Sequence, residues 1–319
     1  MAPRRIGMLA IVALAIIVAL LLLTRSPGGT SAPTASAPAA TATQAAAVTP
    51  VVTPNACANE NLTTHTAGKL TIGADNPAFP PYFEGRDGGN TEPWDPEWGD
   101  PTTGKGFESA MAFAIAKELG FQNADVTWIP IPFNNSFAPG PKDFDFFIGQ
   151  VTFNTERAKN ADLSDGYYFG NQTVVTMADN KFAGATTIGA LKGAELGAQV
   201  GTTSLATIED VIKTTADAAV YNTTDDALEA MQNGQIDGVV VDLPTAGFIT
   251  TVQVEGSKIV GQIGEAAGAK PEHFSLVLEQ DSALTDCVNQ AIAALDAAGK
   301  LDAMSNEWLP FNSAPELQP

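Results

Sequence analysis

The sequence has few residues of the types that most enzymes and metal sites use. Histidine and cysteine each occur only twice in 319 residues, and His65 and His273 lie apart from the polar motifs described below. The chain has no nucleophile elbow, no zinc-ligand spacing and no phosphate-cradling glycine loop. We therefore expect no cofactor and no metal site, while catalysis by carboxylates alone, which needs none of these motifs, stays open.

Basic residues are also scarce. The chain carries 16 Lys and Arg against 36 Asp and Glu, a formal net charge of −20. Residues 1–59 have no acidic residue and three of the arginines, so the remainder holds 13 basic and 36 acidic residues, a net charge of −23. Because such a surface repels phosphate backbones and anionic lipids, we expect no nucleic-acid partner.

The N-terminus has the pattern of an export segment. Arg4 and Arg5 precede 18 mostly apolar residues at 6–23. That length fits either a cleavable signal peptide or an uncleaved anchor over residues 1–25. In both cases the bulk of the chain is exported, on the extracellular or periplasmic face of the cytoplasmic membrane, and an uncleaved segment would tether it there. Residues 26–56, rich in Pro, Ala, Thr and Ser, are predicted to be a linker.

The two cysteines, Cys57 and Cys287, form an even pair outside the cytoplasm, which favours one disulfide. Cys287 also falls on the apolar stripe of a predicted helix, together with Val288 and Leu295. A buried free thiol is therefore the alternative.

From residue 69 onward, short β-rich runs alternate with helical patterns, which predicts α/β sheets. The runs form two βαβ groups, so we expect two lobes joined by a hinge with a ligand cleft between them. Lobe 1 is predicted to comprise residues 57–170 and 262–319, and lobe 2 residues 171–261. The long loop at 85–105 interrupts lobe 1 and is expected to form the cleft rim or a lid.

Two charged residues end apolar β-type runs: Arg157 closes FDFFIGQVTFNTER and Asp242 closes QIDGVVVD. Open α/β sheets place their ligand crevice at the carboxyl ends of strands. A guanidinium fork and a carboxylate in one site suit a free α-amino acid. The alternatives are an exposed Arg157 paired with Glu156 or Asp162, and an Asp242 that only caps a helix before Pro244.

Several motifs share an order and spacing with a known family. They are Asp-x-x-x-Phe-x-Pro at 75–81, GFESAMAFAIAKELG at 106–120, FDFFIGQVTFNTER at 144–157, DLSDGYY at 162–168, VGTTS at 200–204 and IDGVVVD at 236–242. Over about residues 69–310 the chain resembles the extracellular solute-binding proteins of family 3, the polar amino-acid receptors of ABC importers. The resemblance implies a two-lobed periplasmic-binding-protein-like fold, an amino-acid ligand, an ABC permease partner and a monomeric protein.

The same resemblance assigns site residues. The ligand carboxylate would be held by Arg157, by the hydroxyl of Thr152 and by backbone amides of Gly201, Thr202 and Thr203. The ammonium would be held by Asp242 and by an acceptor near Gln150, and Phe79 would stack over the ligand. Thr202 and Thr203 could instead be helix caps, Phe79 could be core, and Gln150 could act through its backbone or contact the ligand's side chain.

Two departures from the family pattern border the expected side-chain pocket: Gln150, where small hydroxyl residues are frequent, and the long 85–105 loop. Polar or aromatic groups that could line this pocket are Asn134, Asn135, Ser136, Trp94 and Trp98. Buried polar groups need matched partners, so we expect a polar or amide side chain on the ligand.

Binding by lobe closure and delivery to a permease is the predicted function. A sensor that presents its closed form to a receptor, and an enzyme resembling the cyclohexadienyl or arogenate dehydratases of the same fold, are the alternatives. Neighbouring permease genes would favour transport, and turnover of prephenate would favour catalysis.

Overall fold

The computed structural model describes residues 56–90, 92–264, 272–309, 311 and 313–319. The predicted export segment and nearly all of the predicted linker lie outside these residues. Within the described part of the chain, no helix combines the length and apolar character that crossing a bilayer requires.

The described residues form short strands and helices in alternation. The strands are β1 (Leu70–Ala74), β2 (Val126–Pro130), β3 (Phe146–Phe147), β4 (Asp162–Leu163), β5 (Tyr168–Phe169), β6 (Gln172–Met177), β7 (Leu196–Gln199), β8 (Ala219–Tyr221), β9 (Gly238–Asp242), β10 (Ser257–Ile263), β11 (His273–Phe274) and β12 (Val277–Leu278). The α-helices are α1 (Phe107–Glu118), α2 (Phe133–Ser136), α3 (Thr203–Ala206), α4 (Thr224–Gln232), α5 (Leu243–Phe248), α6 (Thr285–Ala297) and α7 (Lys300–Trp308).

The first lobe is built on a mixed sheet with the strand order β2-β1-β3-β12-β4. Strand β1 runs parallel to β2 and β3, whereas β12 is antiparallel to both of its neighbours. Helix α1 buries Phe107, Met111 and Ile115 completely in the core that it shares with α6 and α7. Gly120, at φ +88°, follows α1 in a left-handed conformation that favours glycine.

The second lobe has the strand order β10-β6-β9-β7-β8. Val240 packs into a core on one face of this sheet, and Val239 and Val241 pack into a core on the other face. Burial on both faces explains why the sequence of β9 is an unbroken apolar run rather than an alternating one. The prediction of two α/β lobes is confirmed.

Strands β5 and β11 form a two-stranded antiparallel ribbon between the two sheets. The chain leaves the first lobe through β5, which precedes β6, and β11 precedes β12 of the first sheet. This ribbon corresponds to the predicted hinge.

The C-terminal residues differ from the predicted lobe boundary. Gln262 belongs to β10 of the second sheet, where its main-chain oxygen accepts a 2.8 Å hydrogen bond from the amide of Leu317. Leu317 is buried in the second lobe's core, and the amide of Ile188 donates to the oxygen of Gln318 at 2.7 Å. Strand β10 is an edge strand, and the C-terminal segment supplies partners for main-chain groups that the edge leaves unpaired.

The predicted disulfide is confirmed: Cys57 and Cys287 are bonded, with Cα atoms 5.3 Å apart. It joins the start of the described chain to α6 across 230 residues of sequence. The alternative of a buried free thiol at Cys287 is therefore wrong.

Candidate functional site

A cavity of about 570 Å³ lies between the two lobes. Segments of the first lobe near residues 75–83, 132–135 and 149–157 line it, together with segments of the second lobe near 199–204 and 222–225. The lobes touch around this cavity. The cross-lobe contacts include hydrogen bonds from Tyr82 to Asp242, from Arg157 to Gly201 and from Asn134 to Val200, and a ring contact between Trp98 and Phe248.

Arg157 lies at the wall of the cavity and is only 5% exposed. Its guanidinium donates hydrogen bonds to the main-chain oxygens of Thr152 and of Gly201, the latter at 2.8 Å. The rings of Phe133 and Phe137 lie 5.5 and 4.5 Å from the guanidinium carbon, which places two π faces beside the cation. Burial lowers the pKa of Arg157 to about 10, so the group stays charged at neutral pH.

The alternative of an exposed Arg157 paired with a neighbouring acid does not hold. Glu156 pairs with Lys159 at 2.6 Å, and Asp162 accepts hydrogen bonds from the amide of Asp281 and the hydroxyl of Thr285. Arg157 instead lines the cavity and contacts Gly201 of the second lobe.

The other residues assigned to the ligand carboxylate lie beside Arg157. The hydroxyl of Thr203 donates to that of Thr152 across the lobes at 3.3 Å. Thr202 caps α3, because its hydroxyl accepts from the amide of Leu205 at 3.1 Å. Gly201 has φ +78°, and a Cβ there would come within 2.4 Å of Asn134 Oδ1, so glycine permits the close approach of the two lobes.

Two residues in this region were not identified from the sequence. The side-chain amide of Gln172 donates to Thr203 Oγ1 at 3.2 Å and to a carboxylate oxygen of Glu272 at 2.8 Å. Burial raises the pKa of Glu272, which the nearby charge of Arg157 opposes. Since Gln172 begins β6 and Glu272 directly precedes β11, both belong to the hinge region, which sequence patterns do not place beside Arg157.

Asp242 caps a helix and also lines the cavity. It ends β9 and caps α5, since Oδ1 accepts the amide of Thr245 at 3.0 Å and Oδ2 accepts the Thr245 hydroxyl at 2.8 Å, with Pro244 in the first turn. It also lines the cavity. Tyr82 of the first lobe, also not identified from the sequence, donates its hydroxyl to Oδ1 of Asp242. Burial is the main cause of the raised pKa of Asp242.

Gln150 lies on the first-lobe wall of the cavity in a left-handed conformation, φ +50°. The main-chain amide of Gln150 donates to Glu108 Oε1 at 2.7 Å, and its side-chain amide donates to Glu108 Oε2. The hydroxyl of Tyr167 also donates to Glu108 Oε1, at 2.5 Å. Glu108 is 0% exposed, and burial raises its pKa to about 7. The side chain of Gln150 is therefore engaged with Glu108.

The described lining residues carry more acid than base. They include Asp75, Asp225 and Asp242, against the single guanidinium of Arg157. Asp75 belongs to the first lobe and Asp225 to the second, where Asp225 accepts from the side chain of Gln253 at 2.7 Å. Burial raises the pKa of both carboxyls. A cation in the cavity would offset the cost of burying these charges.

Of the residues expected in the side-chain pocket, Asn134 and Asn135 line the cavity. Phe79, which was expected to stack over the ligand, lines it as well. Trp94 packs into the first lobe's core, and Ser136 is fully buried, with its hydroxyl donating to the oxygen of Phe133. Trp98 packs against Phe79 at 5.1 Å and reaches Phe248 of the second lobe at 6.4 Å, so the 85–105 loop contacts both lobes at the cleft.

Among the described residues, no cluster of three or more His, Cys, Asp or Glu side chains could hold a metal ion.

Comparisons with known proteins identify the family and several relatives of this chain. The sequence model of the bacterial extracellular solute-binding proteins, family 3, matches residues 89–311. The arginine-binding extracellular protein ArtP of Bacillus subtilis (strain 168) is 26% identical over 211 residues, covering 64% of this chain and 77% of the relative. ABC transporter arginine-binding protein 1 of Escherichia coli (strain K12) is 29% identical over 217 residues, covering 64% and 82%.

A solved structure, an ancestral arginine-binding protein bound to arginine, superposes with a TM-score of 0.60 at 25% identity. The match covers 76% of this chain and 98% of that one.

Proposed function

Because the chain belongs to the bacterial extracellular solute-binding proteins of family 3, we propose that it captures a free L-amino acid outside the cytoplasmic membrane and delivers it to an ABC permease. The observation that carries the proposal is the cavity between the lobes, with Arg157 in the wall of one lobe and Asp242 in the wall of the other. These side chains bind opposite ends of a zwitterion.

The carboxylate of the amino acid binds beside Arg157, Thr152 and Thr203. The guanidinium has five N–H donors and makes hydrogen bonds to only two main-chain oxygens among its described contacts, so donors remain for a carboxylate. The ammonium binds at Asp242, near the backbone of Gln150. Both ends of the ligand thus contact groups from both lobes, which couples binding to closure.

The side chain of the ligand is cationic, a narrower class than the polar or amide side chain expected from the sequence. Asp75 and Asp225 support this assignment, because both line the cavity and burial raises both of their pKa values. A neutral side chain would leave these partly buried carboxyls without a counter-charge. The names of the arginine-binding relatives support the same class.

A thermal-shift series on the purified full-length protein tests this proposal. L-Arginine and L-lysine should raise the melting temperature progressively with concentration, whereas neutral amino acids should have a smaller effect. D-Arginine is the matched control, since it has the same charges with the opposite arrangement at the α-carbon. No shift with any L-amino acid would contradict the proposal.

A further inference from the structure

Tyr82 holds a fixed position in the first lobe. Its main-chain oxygen accepts hydrogen bonds from the amides of Glu108 and Ser109, in the first turn of α1, at 2.9 and 3.3 Å. Gly106, at φ +91°, makes this contact possible, because a Cβ there would lie 2.5 Å from the Tyr82 oxygen. The ring is 1% exposed and packs edge-on against Phe274 at 6.3 Å.

The Tyr82 hydroxyl reaches out of this core to the second lobe. It donates to Asp242 Oδ1 and lies 3.2 Å from Thr245 Oγ1, and all three residues line the cavity. A phenylalanine would pack equally well against Phe274 and the first lobe's core. The hydroxyl group therefore has a role at the cleft rather than in packing.

The acceptor capacity of Asp242 is nearly used. A carboxylate offers about four acceptor positions. The Tyr82 hydroxyl and both donors of Thr245 take three of them. At most about one position is left, whereas a primary ammonium carries three N–H donors that all need partners when buried.

The Tyr82 oxygen can supply a further acceptor. Its proton points at Asp242, and the Thr245 hydroxyl donates to Asp242 Oδ2, so neither proton uses the lone pairs of the phenol oxygen. These lone pairs lie beside Asp242 but belong to the opposite lobe.

We infer that Tyr82 is a ligand-binding residue, whose oxygen accepts one N–H of the ligand's α-ammonium while its own O–H donates to Asp242. The inference rests on the proposed function, since it needs an amino-acid ligand at Asp242. The ammonium then joins both lobes, and the site discriminates in favour of primary over N-methylated amines.

Calorimetric titration of the full-length protein with L-arginine and with Nα-methyl-L-arginine tests the inference in the wild type and in Tyr82→Phe. Loss of a hydrogen bond to a charged group should weaken L-arginine binding by about tenfold or more. The methylated ligand has one fewer N–H, so its affinity should fall by less than about threefold in the same variant. Tyr221→Phe is the matched control, because it removes the hydroxyl of a second-lobe tyrosine that does not line the cavity and should leave both affinities unchanged.

The other outcomes are separable. Equal losses for both ligands would mean that Tyr82 acts only by positioning Asp242, and an unchanged or tighter L-arginine affinity in Tyr82→Phe would mean that the hydroxyl is dispensable or competes with the ligand. Each of these results would overturn this inference and leave the proposed function unaffected. A wild-type protein that binds no L-amino acid would overturn the proposed function, and this inference with it.

Discussion

The guanidinium of Arg157 in the first lobe donates a 2.8 Å hydrogen bond to the main-chain oxygen of Gly201 in the second lobe. The predicted ligand-binding cation is thus also a contact between the lobes. Because the same guanidinium donates to the main-chain oxygen of Thr152 in its own lobe, it is hydrogen-bonded to both lobes. Its geometry should matter as well as its charge.

Arg157→Lys tests the geometry. Lysine retains the charge but has a compact ammonium that cannot form the fork or lie flat between the rings of Phe133 and Phe137. We expect L-arginine affinity to fall by about tenfold, measured by calorimetry. An affinity equal to that of the wild type would show that charge alone suffices.

Glu108→Gln tests whether the raised pKa of the buried Glu108 carboxyl, which contacts Gln150, makes stability depend on pH. The pKa of Glu108 rises from 4.5 to about 7 on folding, so the folded state holds the proton more tightly than the unfolded state. The resulting stability is fully present below pH 4.5 and is lost as the pH rises toward 7. We expect the loss to be about 3 kcal/mol in the free energy of unfolding.

Denaturant unfolding at several pH values measures this loss. Asp75, Asp145, Asp225, Asp242 and Glu272 also have raised pKa values, so the wild type alone cannot isolate Glu108. The difference between the wild type and Glu108→Gln should change across this pH range. A difference independent of pH would refute the assignment.

Asp75→Asn and Asp225→Asn test the preference for a cationic side chain. L-Citrulline is nearly isosteric with L-arginine but neutral at the side chain, so the ratio of the two affinities reports the charge interaction. We expect each variant to reduce the preference for L-arginine by about tenfold, which corresponds to about 1.4 kcal/mol. If the ratio of the two affinities is the same in both variants and in the wild type, the side chain of the ligand does not bind beside Asp75 or Asp225.

The disulfide makes a separate contribution to stability. Replacing both Cys57 and Cys287 by serine should lower the free energy of unfolding by about 2–5 kcal/mol. Neither cysteine lines the cavity, so L-arginine affinity should not change. Reduction of the wild type should reproduce the loss, and equal stability with and without reductant would contradict the prediction.

The sequence predicted those strands and helices whose burial leaves an apolar pattern in the sequence. The apolar run QIDGVVVD contains β9, and the apolar stripe around Cys287 lies in α6, a helix as predicted. The segment after Thr202 begins as α3 and continues as a π-helix over Thr207–Ile212. Neither the π-helical turns nor the C-terminal pairing with Gln262 has a signature in the sequence.

The charged residues of the site could be proposed from sequence, but their hydrogen-bonding partners could not. Tyr82 looks like any core aromatic residue, and its hydroxyl has a role only because the second lobe brings Asp242 to it. Glu108 carried a usable signal, since an acidic side chain beside Phe107 and one turn before Met111 interrupts an otherwise apolar helix face. The position of Glu272 depends on the hinge, which joins segments distant in sequence.

The central claim is that two opposite charges on two lobes bind the two ends of one zwitterion. Calorimetric titration of L-arginine into Arg157→Ala and Asp242→Ala tests this claim by measuring the affinity of each variant. Removing either member of a buried charge pair typically costs about 2–5 kcal/mol, so each variant should bind at least about thirtyfold more weakly than the wild type. Affinities near that of the wild type in both variants would contradict the account.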